Sequence, residues 1–238
     1  MFSYYGSKSK IVDLYPSPRF GKIIEPFAGS ARYSLKYFDR EVLLVDKYPV
    51  IVDLWDYLKS ASEKDILSLP DVNMGDDIRE MGLDPGARLL IGFCINGGST
   101  EPKSIGTDNI NRNFNSWNRD KKRIARELYK IRHWEIRLGS YEDIPNESAS
   151  WFIDPPYQYG GELYKVSNKS IDYPALAKWS QQREGQIIVC ENARADWLPF
   201  YPMREMDGQA KRTVESIWSN YPHNFAARQI SLFSEAIS

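Results

Sequence analysis

Histidine is nearly absent from this chain. His133 and His223 are the only two among 238 residues, and neither lies in a metal-ligand cluster. That disfavours histidine acid–base chemistry and a zinc site, and no metal is expected. Cysteine is equally scarce: Cys94 and Cys190 stand far apart in sequence, as reduced thiols of a cytoplasmic protein do. No apolar stretch approaches the roughly 20 residues of a membrane span. The opening MFSYYGSKSK also lacks the apolar core of a signal peptide. No membrane partner is expected. A surplus of one charge is missing too, since the formal net charge is −1. A nucleic acid would therefore have to be met by a local basic patch.

What remains is a soluble composition, 42% apolar and 26% charged, long enough for one domain with a smaller insertion. Residues 22–25 read as a strand, followed by a turn and a helix over 31–38. A second strand, 42–45, ends in Asp46. A helix then carries Ile51, Leu54, Trp55 and Leu58 at helical spacing. Strand–helix–strand–helix at this pitch predicts an α/β fold with a doubly wound, mostly parallel sheet. From about 60 to 117 the chain turns irregular and rich in Gly, Asn and Asp, with one apolar helix at 87–95. A basic helix follows at 119–132. Strands resume at 136–138, 151–153 and 186–190, with a helix at 173–183, and two more strands are expected at 215–218 and 229–233. The simplest parsing is a sheet domain of residues 1–58 and 133–238, interrupted by a mainly helical insertion at 59–132.

Three short stretches could carry chemistry. In IIEPFAGSA a strand ends in Glu25 and passes through a turn into a helix, where backbone amides can receive a ligand. Asp46, at the tip of the next strand, is placed to hydrogen-bond a ribose. Gly29 stands alone, however, where a pyrophosphate would want several glycines, so a nucleoside without phosphates suits the turn better. The plain alternative is an ordinary strand–turn–helix. In YYGSK, Gly6, Ser7 and Lys8 form a cationic loop suited to a carboxylate, with Tyr4 and Tyr5 able to pack on an apolar or cationic ligand. A solvated loop is its plain alternative.

The third stretch is DPPY, residues 154–157. Proline cannot donate to a sheet ladder, so the strand stops there, and Asp154 is held extended before Pro155. The acid and a proline carbonyl can accept two hydrogen bonds from an exocyclic amine, while Tyr157 can stack on its ring, worth roughly 1–3 kcal/mol. A proline turn closing a strand would explain Pro155 and Pro156 alone, but not the flanking Asp and Tyr.

Taken in order, YYGSK, EPFAGSA, Asp46 and DPPY resemble the Dam-type, alpha-group N6-adenine DNA methyltransferases, across about two-thirds of the chain. The resemblance implies a Rossmann-like sheet binding S-adenosylmethionine, with a target-recognition insertion. It also implies a flipped adenine gripped by Asp154, Pro155, Pro156 and Tyr157. Tyr4 and Lys8, within Tyr4–Tyr5–Gly6–Ser7–Lys8, would meet the methionine end of the cofactor, and Asp46 its ribose. Glu25, Pro26, Phe27, Gly29 and Ser30 would form the loop beneath, with Asp154 beside them. Tyr141 sits where the family places a residue beside the cofactor adenine. Ala31 and Arg32 depart from the small residues common there. The resemblance is compatible with a restriction–modification enzyme and with a phage enzyme alike.

The insertion supplies the basic patch. NINRNFNSWNRDKKRIARELYKIRHW alternates Asn, Arg and aromatics before becoming a basic amphipathic helix. Arg112, Asn113, Asn115 and Trp117 are candidate base contacts, and Arg119, Lys122, Arg126 and Lys130 candidate phosphate contacts, against the plain alternative of a solvated face. Tyr159 and Tyr164, in a polar loop, are further candidates. Asn192 or Asn220 could line the pocket, although both segments otherwise read as sheet core. The rival readings are transfer to protein glutamine or to RNA adenine, and a nucleic-acid-binding relative without catalysis. Relatives acting on glutamine generally carry asparagine where this chain has Asp154. A nicotinamide oxidoreductase is disfavoured by the missing glycines.

Overall fold

The computed structural model describes residues 1–2, 4–95, 98–107, 116–207 and 212–221. The expected strand at 229–233 and the candidates Arg112, Asn113 and Asn115 lie outside these.

Alternating side chains build one seven-stranded sheet buried on both faces. Its strands are β1 (Lys22–Glu25), β2 (Glu41–Asp46), β3 (Glu135–Leu138), β4 (Ala149–Ile153), β5 (Gly185–Asn192), β6 (Tyr201–Asp207) and β7 (Arg212–Ser219). They are ordered β3-β2-β1-β4-β5-β7-β6. All neighbours from β3 to β5 pair in parallel, and β7 alone runs against the rest, pairing antiparallel with β5 and β6. The fold is thus the expected doubly wound, mostly parallel, Rossmann-like sheet.

Successive residues of a strand point to opposite faces. Ile23, Val42, Leu44, Phe152, Ile188 and Ile217 accordingly join one apolar cluster. Ile24, Leu43, Trp151, Ile153, Ile187 and Val189 join the other. Every residue of β4 is buried, as a strand covered on both sides requires.

Helices α1 (Arg32–Lys36), α2 (Pro49–Ser60), α3 (Glu63–Ser68), α4 (Pro85–Ile95) and α5 (Ser116–Glu127) precede β3, and α6 (Tyr173–Gln181) precedes β5. The short α3 was not expected. Its Ser62–Glu63–Lys64–Asp65 start is a reciprocal cap: the Ser62 hydroxyl accepts from the Asp65 amide at 3.1 Å, and the Asp65 carboxylate from the Ser62 amide at 2.8 Å. The insertion helices fill the first cluster from outside. Leu90, Ile91, Phe93 and Ile124 share it with Ile23, Leu44 and Trp55.

Trp117 requires a correction. Helix α5 begins at Ser116 rather than 119, which puts Trp117 on the same stripe as Ile124, Leu128 and Ile131. The indole is 1% exposed, and its Nε1 donates to the Pro70 carbonyl at 2.9 Å. It is a core residue, not a DNA contact.

Candidate active site

In an open parallel sheet, ligands bind beyond the carboxyl ends of the strands, where the chain leaves neighbouring strands in opposite directions. Here that point lies between β1, which leads to β2, and β4, which leads to β5 on the other side. A cleft opens there. Its walls contain Tyr4, Tyr5, Gly6, Ser7 and Lys8 from the amino-terminal loop, and Glu25, Pro26, Phe27, Gly29 and Ser30 from the turn after β1. Asp46, Tyr141, Asp154 and Pro156 complete the set. Pro155 and Tyr157 do not line it.

The turn after β1 is held by acids at two strand tips. Asp46 accepts from the Gly29 amide at 3.0 Å through Oδ2 and from the Tyr48 amide at 2.9 Å through Oδ1. Burial raises the Asp46 pKa, and the amides of Gly29, Tyr48 and Lys47 pull it back only in part. Each oxygen keeps a second lone pair for a ligand hydroxyl. Glu25 is buried and accepts from the Ser34 amide, in the first turn of α1, at 2.8 Å. Burial pushes its carboxyl up to about 8, against that hydrogen bond.

Gly29 takes the left-handed φ of 43° that favours glycine, and its carbonyl accepts from the Trp55 indole at 2.9 Å. Ala31 takes φ 44° without being glycine, a local strain of roughly 1–2 kcal/mol. Ala31 and its turn line the cleft.

Arg32, the other departure, ties two walls together. Its Nε donates to the Ser7 hydroxyl at 3.0 Å and its Nη2 to the Phe2 carbonyl at 2.5 Å, while Ser30 donates to Ser7 at 3.2 Å. Gly6, at φ 70°, leaves no room for a Cβ, which would collide with the Tyr164 hydroxyl. Tyr164 packs edge-on to Tyr5 at 5.4 Å and lines the cleft. Opposite, Phe27 and Tyr141 pack on each other, ring centres 5.6 Å apart with a 32° tilt, and present an apolar wall to the cleft.

Asp154 projects from the end of β4 with its side chain 20% exposed. Lys8 Nζ lies 2.8 Å from its Oδ1 as an ion pair, without the alignment of a hydrogen bond. The same ammonium lies 3.9 Å from Glu215 Oε1 and 4.7 Å from the centre of the Tyr157 ring. Glu215 Oε1 accepts from both the Tyr15 and the Tyr157 hydroxyls at 2.6 Å each. Burial opposes the Lys8 charge, yet Asp154 and Glu215 hold its pKa above the ordinary lysine value. Burial also raises the Asp154 pKa, more than Lys8 lowers it. Lys8 is therefore the charged partner throughout, and the acid is the one whose ionisation is resisted. Pro156 presents its carbonyl to the Tyr173 hydroxyl at 2.6 Å.

Glu215, Tyr15, Arg32 and Trp55 were missed in the sequence. Asn192 and Asn220, expected as possible lining, stand elsewhere. Asn192 donates to the Tyr159 carbonyl at 2.6 Å, and Asn220 brackets the start of β5 through Ile187 and Gly185.

On the insertion, Arg119, Lys122 and Arg126 are exposed. Lys130 is half-buried, 3.3 Å from Glu127 and 5.2 Å from the centre of the Phe38 ring. Tyr159, 43% exposed, lies under the Arg194 guanidinium at 5.0 Å. Among the described residues no group of three or more His, Cys, Asp or Glu could hold a metal ion, and no helix is long and apolar enough to cross a membrane.

No family model and no curated protein matches the chain. Solved structures do match, among them a protein from Escherichia coli described as a methyltransferase, yhhF. It has 8% sequence identity and a TM-score of 0.37, over 91% of this chain and 81% of that one. At that level the fold assignment rests on the strand order itself.

Proposed function

We propose that this protein is an S-adenosylmethionine-dependent methyltransferase acting on the N6 amino group of adenine in DNA. The observation that carries the reading is the meeting of Asp154, at the tip of β4, with the 4–8 loop and the Asp46–Gly29 turn in one cleft. These pieces are far apart in sequence and are the ones on which the family resemblance rests.

The cleft suits the cofactor. The apolar wall of Phe27 and Tyr141 would flank the adenine ring, Asp46 would hold the ribose hydroxyls, and the 4–8 loop the methionine end. When bound, the cofactor supplies an electrophilic methyl group on a cationic sulfur.

The residues of the chain do the rest by alignment and electrostatics. An adenine amino nitrogen is a weak nucleophile, because its lone pair is delocalised into the ring. Asp154 would accept one of its N–H groups and turn the lone pair toward the methyl carbon, with an ionised acceptor giving the stronger bond. Held by Asp46 and the 4–8 loop, that methyl would pass to the nitrogen with the electron pair of the C–S bond left on sulfur. The nitrogen, now cationic, releases one proton through Asp154 to water. A base in a duplex is out of reach within its stack, so the target must be extruded. The exposed Arg119, Lys122 and Arg126 of α5 would meet the phosphates.

Incubation with methyl-labelled cofactor and DNA free of N6-methyladenine, followed by nucleoside analysis, tests this. Label in N6-methyladenine is expected. Label found only in RNA or in protein glutamine would replace the substrate, and no transfer to any of the three would end the reading.

A further inference from the structure

We propose that Glu215 is a positioning residue that acts through Lys8, giving the ammonium a second carboxylate so that it can yield Asp154 Oδ1 to the substrate's amino group. This rests on the reading of Asp154 as the acceptor of that amino group.

The difficulty it resolves is geometric. Lys8 Nζ stands 2.8 Å from the carboxylate oxygen that an incoming N–H would need. Lys8 is only 7% exposed, so its charge has no ready exit to water. A buried cation stripped of its partner is strongly disfavoured. Glu215 Oε1, 3.9 Å away, offers the only nearby alternative carboxylate among the described ion pairs of Lys8. A shift of about 1 Å would exchange one carboxylate for the other.

Glu215 is also fixed for that task. Tyr15, which precedes β1, and Tyr157, which follows β4, both donate to the oxygen nearest Lys8. The carboxylate cannot swing toward Lys8 without losing two short hydrogen bonds, so the ammonium must do the moving. Strand β7 delivers the group by its antiparallel pairing, which sets Glu215 opposite Asn192 at the carboxyl end of β5. The plain alternative is that Glu215 merely anchors β7 to the two tyrosines.

A double-variant cycle on the full chain separates these. Glu215→Gln keeps an acceptor for the phenols and removes the charge. Its kcat for methyl transfer to DNA should fall at least tenfold, with KM for the cofactor changing less than threefold. In a Lys8→Met background, where nothing needs a second seat, the same change should move kcat less than threefold. Equal losses in both backgrounds would mean an anchoring role and overturn the proposal.

The Lys8 ammonium resonance, in protein labelled with ¹⁵N at lysine, gives a readout independent of turnover should a variant prove inactive or unfolded. It should shift in the wild type when adenosine is added to protein already saturated with S-adenosylhomocysteine. A resonance that stays in place overturns the proposal. A wild-type chain that methylates no DNA fails the parent reading first, a result distinct from equal losses in an active enzyme.

Discussion

Lys8 faces Asp154 across 2.8 Å at the inner end of the cleft. The acid proposed to orient the substrate therefore begins paired with a residue distant in sequence. Its availability is conditional, and the chemistry should depend on it steeply.

Asp154→Ala should lower methyl transfer more than a thousandfold, about 4 kcal/mol of transition-state stabilisation. Cofactor affinity by calorimetry should stay within fivefold, because Asp46 and the wall of Phe27 and Tyr141 are untouched. An active Asp154→Ala enzyme would remove the acid from the mechanism.

Asp46→Ala should do the reverse. It strips acceptors from the Gly29 and Tyr48 amides and takes away the group proposed to hold the ribose. Cofactor affinity should weaken at least tenfold, roughly 1.4 kcal/mol or more. Titration calorimetry that finds unchanged affinity would move the ribose elsewhere.

Glu25 predicts a pH dependence of stability. Burial raises its folded-state pKa from 4.5 to about 8. The native state then holds the extra proton between those values, so stability is greatest at the acidic end and falls as pH rises through the window. The loss attributable to Glu25 has an upper bound of roughly 4–5 kcal/mol. Glu25→Gln can still accept from the Ser34 amide and should flatten the fall. Thermal melts from pH 5 to 8 that show parallel slopes for variant and wild type would contradict this. Glu191, raised to about 7 by burial, adds a component of the same sign to both.

The insertion separates packing from binding. Trp117→Ala should destabilise the protein by roughly 3–5 kcal/mol, as removal of a buried indole does. Neutralising Lys122, Arg126 and Lys130 together should leave the melting temperature nearly unchanged, weaken DNA binding across all sequences and flatten its salt dependence. Unaltered affinity in the triple variant would make the α5 face merely solvated.

The sheet and its cleft were legible because their signals are local. Strand alternation around Ile23 and Leu43, the lone Gly29, and the prolines after Asp154 each dictate backbone behaviour within a few residues. Glu215 was not legible. The strand carrying it was expected, but strand direction is a tertiary property, and only the antiparallel course of β7 brings its early residues to the carboxyl edge. Trp117 was misplaced because a start three residues earlier for α5 turns a loop aromatic into a core one. The start of α3 did have a readable signature, in the spacing of Ser62 and Asp65. Arg32 gave no hint, since its partners are a serine hydroxyl and a backbone carbonyl from the chain's opening.

Because Phe93 and Ile124 complete the same apolar cluster as Ile23 and Trp55, residues 59–132 are not a detachable cassette. A chimera that imports a foreign segment in their place inherits a bare sheet face. It should fold only when the graft keeps these inward side chains and exchanges the outward ones.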